Sequence, residues 1–274
     1  MSLAEDRVDS GTIFDAKSGE PWPVKLFKRS PLKQKKLAMI MDMIGSLESK
    51  VCLDIGSDNG VISYFLRQAG GKWYSADLIP ETVESIRSLV GERVEQISPE
   101  SVPYADSFFD LIVIVDFLEH IEDDRKFIEE LFRVIKPGGE LIVIVPNPKE
   151  GLLRKFRFAI GQTDEAHGHL RPGYSREELE ALLNPYFNML ETRSFSRLFS
   201  VLVDTLITFA LDLLKGKAHT RKGNVVTGGD LSKLKKSFRF YSLLYPFIAF
   251  FVKLDDLFFW LHGNMLIART KRSS

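Results

Sequence analysis

Between Val51 and Val145, short apolar runs alternate with longer amphipathic stretches, and that alternation restricts the chain to few architectures. Val51–Ile55 reads as a strand, and a glycine turn then delivers the chain into a helix that stops at Gly70-Gly71. Lys72–Ala76 is a second strand ending in Asp77. Pro80 opens a second helix with Val83, Ile86 and Val90 on one face. Arg93–Ile97 reads as a third strand. Leu111–Val115 is unbroken apolar, the pattern of a strand covered on both faces. Asp123–Ile135 reads as a helix closed by Lys136-Pro-Gly-Gly139, and Leu141–Val145 as a fifth strand. Upstream, Ser30-Pro31 marks the start of a helix carrying Leu37, Ile40, Met41 and Ile44. Strand and helix alternating five times predict an α/β fold with a doubly wound, mostly parallel sheet.

Composition narrows the function classes. Lys+Arg and Asp+Glu both number 37 in 274 residues, so no global field draws the chain to nucleic acid, and no nucleic-acid partner is expected. The single cysteine, Cys52, sits in an apolar run and reads as a small buried hydrophobe, which excludes a disulfide framework. The first residues lack the apolar core of a signal peptide, and together these features predict a cytoplasmic setting.

The turn VCLDIGSDNG ends the first strand, and in such sheets ligands bind at the carboxyl ends of strands. By itself Asp54-x-Gly56-x-x-x-Gly60 is equally a tight turn with no ligand. It fails the dinucleotide fingerprint twice, because Asp58 and Val61 stand where that spacing needs glycine. Asp77, at the end of strand two, can accept hydrogen bonds from both hydroxyls of a ribose, and Leu78 can pack on an adenine face. Further on come FFDLIVIVDFLEHIED (Phe108–Asp123) and VIKPGGELIVIV (Val134–Val145).

Taken together, Asp54, Gly56, Gly60, Asp77, Asp110–Asp116, Leu118-Glu119-His120 and Pro137-Gly-Gly139 resemble the class I S-adenosylmethionine-dependent methyltransferases, in the branch with an LEH segment after strand four. The resemblance runs through about Lys50–Asn147. It implies a Rossmann-like, seven-stranded methyltransferase fold and S-adenosyl-L-methionine as cofactor. It places the Asp54, Gly56, Ser57 and Gly60 turn under the methionine part, Asp77 on the ribose with Leu78 beside it, and Asp116 at the methionine end. Two departures stand out: Asp58 replaces a usual glycine, and Ser98-Pro99 occupy the adenine-reading positions, so Ser98 or Glu100 is left for that contact.

Methyl transfer is an in-line displacement in which positioning contributes much of the rate. A hydroxyl acceptor also needs its proton removed, most often by histidine or a carboxylate. His120 follows strand four, and its alternative role is to support the loop. His167 and His169 lie in Asp164–Tyr174, the connection after strand five that overhangs the acceptor pocket in this fold; the alternative is that this loop only caps the next helix. No metal site is expected, because two histidines and an acid on one loop are an incomplete ligand set. Ser175-Arg-Glu-Glu178 is a capping box.

Asn188–Ser194 reads as strand six and Asn264–Thr270 as the last strand, so about seventy residues interrupt what is normally a short antiparallel connection. The expected division is a tail and helix over 1–48, a methyltransferase core over 49–194 and 264–274, and an insertion over 195–263. In that insertion Leu198–Leu214 is apolar apart from a stripe at Ser200, Asp204, Thr208 and Asp212, and Leu243–Leu261 is rich in aromatics. Eight basic residues from Lys215 to Arg239, against only Asp230, connect them. The first helix carries two aspartates, and the apolar run Phe240–Val252 is too short for a bilayer. A helical cap, a homodimer contact and a peripheral membrane patch formed by 198–262 remain open, the last aided by the basic run near Lys25–Lys36. The functional expectation is methyl transfer to a small-molecule acceptor, at oxygen, with a lipid, lipid-linked glycan or quinone precursor favoured. The alternative is a non-catalytic cofactor-binding scaffold whose insertion docks a membrane or protein partner.

Overall fold

Seven strands form one sheet in the order β3-β2-β1-β4-β5-β7-β6. The structure, a computed structural model, describes residues 19–57, 59–148, 152–164, 168–215 and 242–273. The strands are β1 (Val51–Ile55), β2 (Lys72–Asp77), β3 (Val94–Gln96), β4 (Phe109–Val115), β5 (Ile135–Pro146), β6 (Phe187–Phe195) and β7 (Met265–Arg272). β1 to β5 run parallel, and β7 lies antiparallel between β5 and β6. The doubly wound, mostly parallel α/β sheet expected from the alternation is the fold observed.

Helices α1 (Trp22–Phe27), α2 (Pro31–Met43) and α3 (Val61–Gln68) precede β2, and α4 (Pro80–Val90) and α5 (Asp124–Val134) precede β3 and β5. α6 (Leu152–Ala159) and α7 (Arg176–Leu183) follow β5, and α8 (Leu198–Lys215) and α9 (residues 242–254) lie between β6 and β7. One face of the sheet packs Phe127, Ile128 and Leu131 of α5 with Leu179 and Leu183 of α7. The other packs Ile40 and Met43 of α2 with Ile62 and Leu66 of α3. Cys52 is buried in that second layer, and burial pushes its thiol up to about 12, which makes it inert at neutral pH. The capping box at Ser175 forms, with Glu178 N donating to Ser175 Oγ at 3.1 Å and Ser175 N to Glu178 Oε2 at 2.7 Å.

The structure corrects several boundaries. β3 is shorter than the apolar pattern suggests, because Ile97 N already donates to Asp77 O and the chain turns at Ser98. β5 is longer: Lys136-Pro-Gly-Gly139 continues an extended chain with a register shift rather than closing a helix. Gly139 must be glycine there, since a Cβ would stand 2.8 Å from Ile135 Cγ1 and 2.9 Å from Lys136 O. Asp110 fastens this region, accepting from Val51 N at 2.9 Å and Lys136 Nζ at 2.8 Å.

Between β6 and β7 the chain makes a helical excursion anchored at its base by polar contacts. Asp255, fully buried in the 3-10 turn after α9, accepts from Arg197 N, Phe199 N and Ser200 N and so caps the start of α8. The Arg197 guanidinium donates to Leu261 O at 3.1 Å, and Asn147 Nδ2 donates to Gly263 O at 2.9 Å. No helix among the described residues is long and apolar enough to cross a membrane.

Candidate functional site

The first turn of the α/β unit is set by steric exclusion. Gly56 has φ +84°, and a Cβ there would lie 2.3 Å from Val115 O of β4. Gly60 has φ +80°, and a Cβ would lie 2.9 Å from Ile86 Cα. Only glycine permits both close approaches at positive φ. Ser57, buried between them, accepts from Ser63 N at 3.0 Å through its hydroxyl and so satisfies an early amide of α3. Asp58 lies outside the described residues.

Asp54 is 1% exposed, with Ser63 Oγ donating to one carboxylate oxygen and Ser75 Oγ to the other at 2.8 Å. Burial raises its pKa to about 6, against the opposing pull of both hydroxyls and of Arg67. Asp54 thus ties β1, β2 and α3 together beneath the turn and fixes the turn's shape.

Asp77 ends β2 one strand away, and its Oδ1 accepts from Ile79 N at 3.2 Å. Leu78 is half-buried against the sheet core. Ser98 follows β3, but its amide donates to Ser101 O at 3.2 Å, and Pro99 has no amide to offer. Asp116, just past β4, holds a left-handed φ of +47°, and its carboxylate pairs with Lys36 of α2. Asp54, Gly56–Gly60, Asp77 and Asp116 therefore gather at the carboxyl ends of β1, β2 and β4, where ligands bind in open α/β sheets.

On the other side of Asp116, the 3-10 turn Leu118–His120 meets the loop ahead of α7. Leu170 N donates to Glu119 O at 2.9 Å, and the His120 ring lies 4.9 Å from the His169 ring between centroids. Tyr174 OH donates to Leu118 O at 3.2 Å, and Arg171 donates to the Ile121 and Glu122 carbonyls. His120 and His169, far apart in sequence, are thus brought together. His167 lies outside the described residues.

Residues 53–143, which hold the glycine turn, Asp77, Asp116 and the Leu118–His120 turn, match the family described as "Methyltransferase domain". The match covers about a third of the chain and identifies that stretch as a methyltransferase domain. This methyltransferase core is 30% identical over 112 residues to a ubiquinone biosynthesis O-methyltransferase of Pseudoalteromonas translucida, covering 39% of this chain and 48% of that protein. It is also 30% identical over 107 residues to the norajmaline N-methyltransferase of Rauvolfia serpentina, covering 36% and 37%. The chain thus spans half or less of the length of these relatives. Among solved structures, a SAM-dependent methyltransferase from Thermotoga maritima superposes with a TM-score of 0.56 at 15% identity, over 91% of this chain and 94% of that one.

Two residues of this candidate site carried no clear signal in the sequence. Lys36 sits in a basic run that reads as solvated or membrane-facing, yet α2 aims it at Asp116, and its neighbour Lys35 donates to Asp256 Oδ1 at 2.9 Å. Glu119 is fully buried beside both imidazoles. Its place in the LEH segment was the only available hint.

Proposed function

We propose that this protein transfers a methyl group from S-adenosyl-L-methionine to an oxygen of a small-molecule acceptor. The observation that carries the reading is the left-handed glycine turn held between Asp77 and Asp116 at adjoining strand ends. The bound cofactor supplies an electrophilic methyl carbon on a sulfonium. A ligand carrying that cation and an ammonium suits a carboxylate-lined pocket, where a pyrophosphate would be repelled. Asp77 takes the ribose hydroxyls, the Gly56–Gly60 backbone lies under the methionine part, and Asp116 faces its ammonium, with Lys36 holding the Asp116 carboxylate in place. The acceptor hydroxyl is activated at the His120/His169 pair, with His167 in the same loop.

Isothermal calorimetry with S-adenosyl-L-methionine tests the cofactor assignment. The native chain should bind at micromolar concentration, and Asp77→Ala should lose most of that affinity; equal binding by the variant would sink the ribose assignment. A second reading, a non-catalytic cofactor-binding scaffold, is favoured by the engaged Ser98 amide and by Pro99, so that neither of these two positions offers adenine a backbone donor. Micromolar binding with turnover of any acceptor supports the enzyme, and micromolar binding without turnover of any acceptor supports the scaffold.

We further read 195–263 as an inserted unit that seats the enzyme peripherally on the cytoplasmic face of a membrane. Leu198, Leu202, Leu206 and Phe209 face outward from α8, and Leu243, Phe247 and Phe250 from α9. A basic connector in the sequence between them suits anionic lipid. This favours a lipid, a lipid-linked glycan or a quinone precursor as acceptor, in keeping with the relative named for ubiquinone biosynthesis. Co-sedimentation with anionic vesicles at low and physiological salt tests it; a well-folded chain that stays in the supernatant at both would make this face a cap or a homodimer contact.

A further inference from the structure

We propose that Glu119, His120 and His169 form a divalent-cation site of the two-histidine, one-carboxylate type on the acceptor side of the methyltransferase core. The proposal starts from distance: one ligand atom from each of the three side chains lies within 4.8 Å of the other two. Ligand atoms around one ion at about 2.1 Å stand about 3 to 3.5 Å apart, so side-chain rotation alone closes the set.

The ligands come from two separate segments whose backbones are fastened to each other. Leu170 N donates to Glu119 O, and Arg171 reaches back to the carbonyls of Ile121 and Glu122. His169 N donates to Asp164 O at 3.1 Å, and Asp164 is itself held by Arg154 at 2.6 Å. The site is therefore placed by main-chain contacts that do not depend on an ion.

The orientation of His120 is the second, independent observation. Its Nδ1 lies 2.8 Å from Gly168 O, an acceptor, so Nδ1 is the donor there and Nε2 is the nitrogen that would ligate. A ligating imidazole is almost always oriented in this way, with its other nitrogen donating to a backbone carbonyl or carboxylate. Glu119 adds the charge. Its side chain has no exposed surface, and beside the two imidazoles it gives the set the anionic oxygen donor that a divalent cation takes. Two imidazoles and one carboxylate suit Zn²⁺, Fe²⁺ or Mn²⁺ and leave coordination positions open. An acceptor hydroxyl in an open position would lose its proton more readily, so that activation would run through the cation rather than through an imidazole base. That role rests on the methyl-transfer reading; the binding itself rests on the three side chains.

The test is a Co²⁺ titration of the full chain after chelator treatment, read by visible absorption and by competition with Zn²⁺. One equivalent should bind, with d–d bands of a nitrogen- and oxygen-ligated site. His169→Ala, in a half-buried loop position, and Glu119→Gln, which keeps the side-chain volume, should each weaken binding at least tenfold. No binding by the native chain, or equal binding by both variants, overturns the proposal. Calorimetry with S-adenosyl-L-methionine on the same samples separates the two readings. Metal binding without cofactor binding upholds this site and overturns the enzyme. Cofactor binding without metal binding overturns this site and returns the imidazoles to the role of base.

Discussion

The sheet and the helical excursion handle their apolar residues in opposite ways. In β4, Leu111–Val115 is buried residue by residue, with α2 and α3 on one side and α5 on the other. In α8 the order is inverted. Ser200 and Thr205 are fully buried, while Leu198, Leu202, Leu206 and Phe209 face outward at helical spacing. In α9, Phe247 is 65% exposed, and beyond it Phe259 is 73% exposed. The sheet consumes its hydrophobicity in folding. The excursion is held at its base by polar groups and keeps an apolar face outside, of the kind that marks an interaction site.

The largest contrast should be in stability. Ile114→Ala truncates a fully buried strand residue and should cost about 2 to 5 kcal/mol. Phe247→Ala removes more carbon but should stay within about 0.5 kcal/mol, as for ordinary surface substitutions. Urea unfolding of both variants checks the pair. If Phe247→Ala costs as much as Ile114→Ala, the face is already covered, and a second copy of the chain becomes the candidate occupant.

The next two predictions concern buried carboxylates, one in each region. Asp54 sits under the glycine turn with its pKa raised to about 6 from 3.8. Because the folded value is the higher one, the native state binds the proton more tightly than the unfolded chain. Stability from this group is therefore fully present below about 4 and is lost as pH rises through about 6. Asp54→Asn should abolish that decline, visible as a flatter dependence of the urea midpoint between pH 4 and 7; an unchanged slope would show that another group titrates there. Asp255, by contrast, accepts from three backbone amides at the start of α8. Asp255→Ala should cost about 1 to 2 kcal/mol through the lost cap, with faster hydrogen exchange confined to α8 and α9. If exchange rises across the sheet as well, the two regions are one cooperative unit and the contrast fails.

Much of the fold was legible because parallel strands buried on both faces read as continuous apolar runs, and the glycine turn, Asp77 and the LEH segment fixed the strand ends around the site. What escaped has physical reasons. The stripe at Ser200 and Asp204 showed that α8 has a polar face, but periodicity does not say which face meets the protein. Here the direction is decided by Asp255 beneath the first turn and by Gln162 Nε2, which donates to Thr205 O at 3.1 Å. The lysines of α2 read as a solvated run because nothing local shows that Lys35 and Lys36 point at Asp256 and Asp116, which stand 221 and 80 residues away in sequence. Glu119 and His169 fall in different segments, and only the loop ahead of α7 folding back onto the turn after β4 makes them neighbours.

The smallest expected change in stability carries the sharpest functional difference. Phe247, Phe259 and Trp260 are exposed, so replacing all three by serine removes little that folding buries, and the urea midpoint should move by no more than about 0.5 kcal/mol in free energy. Binding to anionic vesicles depends on the apolar area that enters the headgroup region, and it should fall far more steeply than stability does. The basic connector would remain, so any residual binding should become weaker and more sensitive to salt. A triple variant that binds vesicles as the native chain does would leave the outer face of the excursion without a lipid role. A variant that loses vesicle binding yet turns over a soluble acceptor at the native rate would separate where the protein sits from what its site can do.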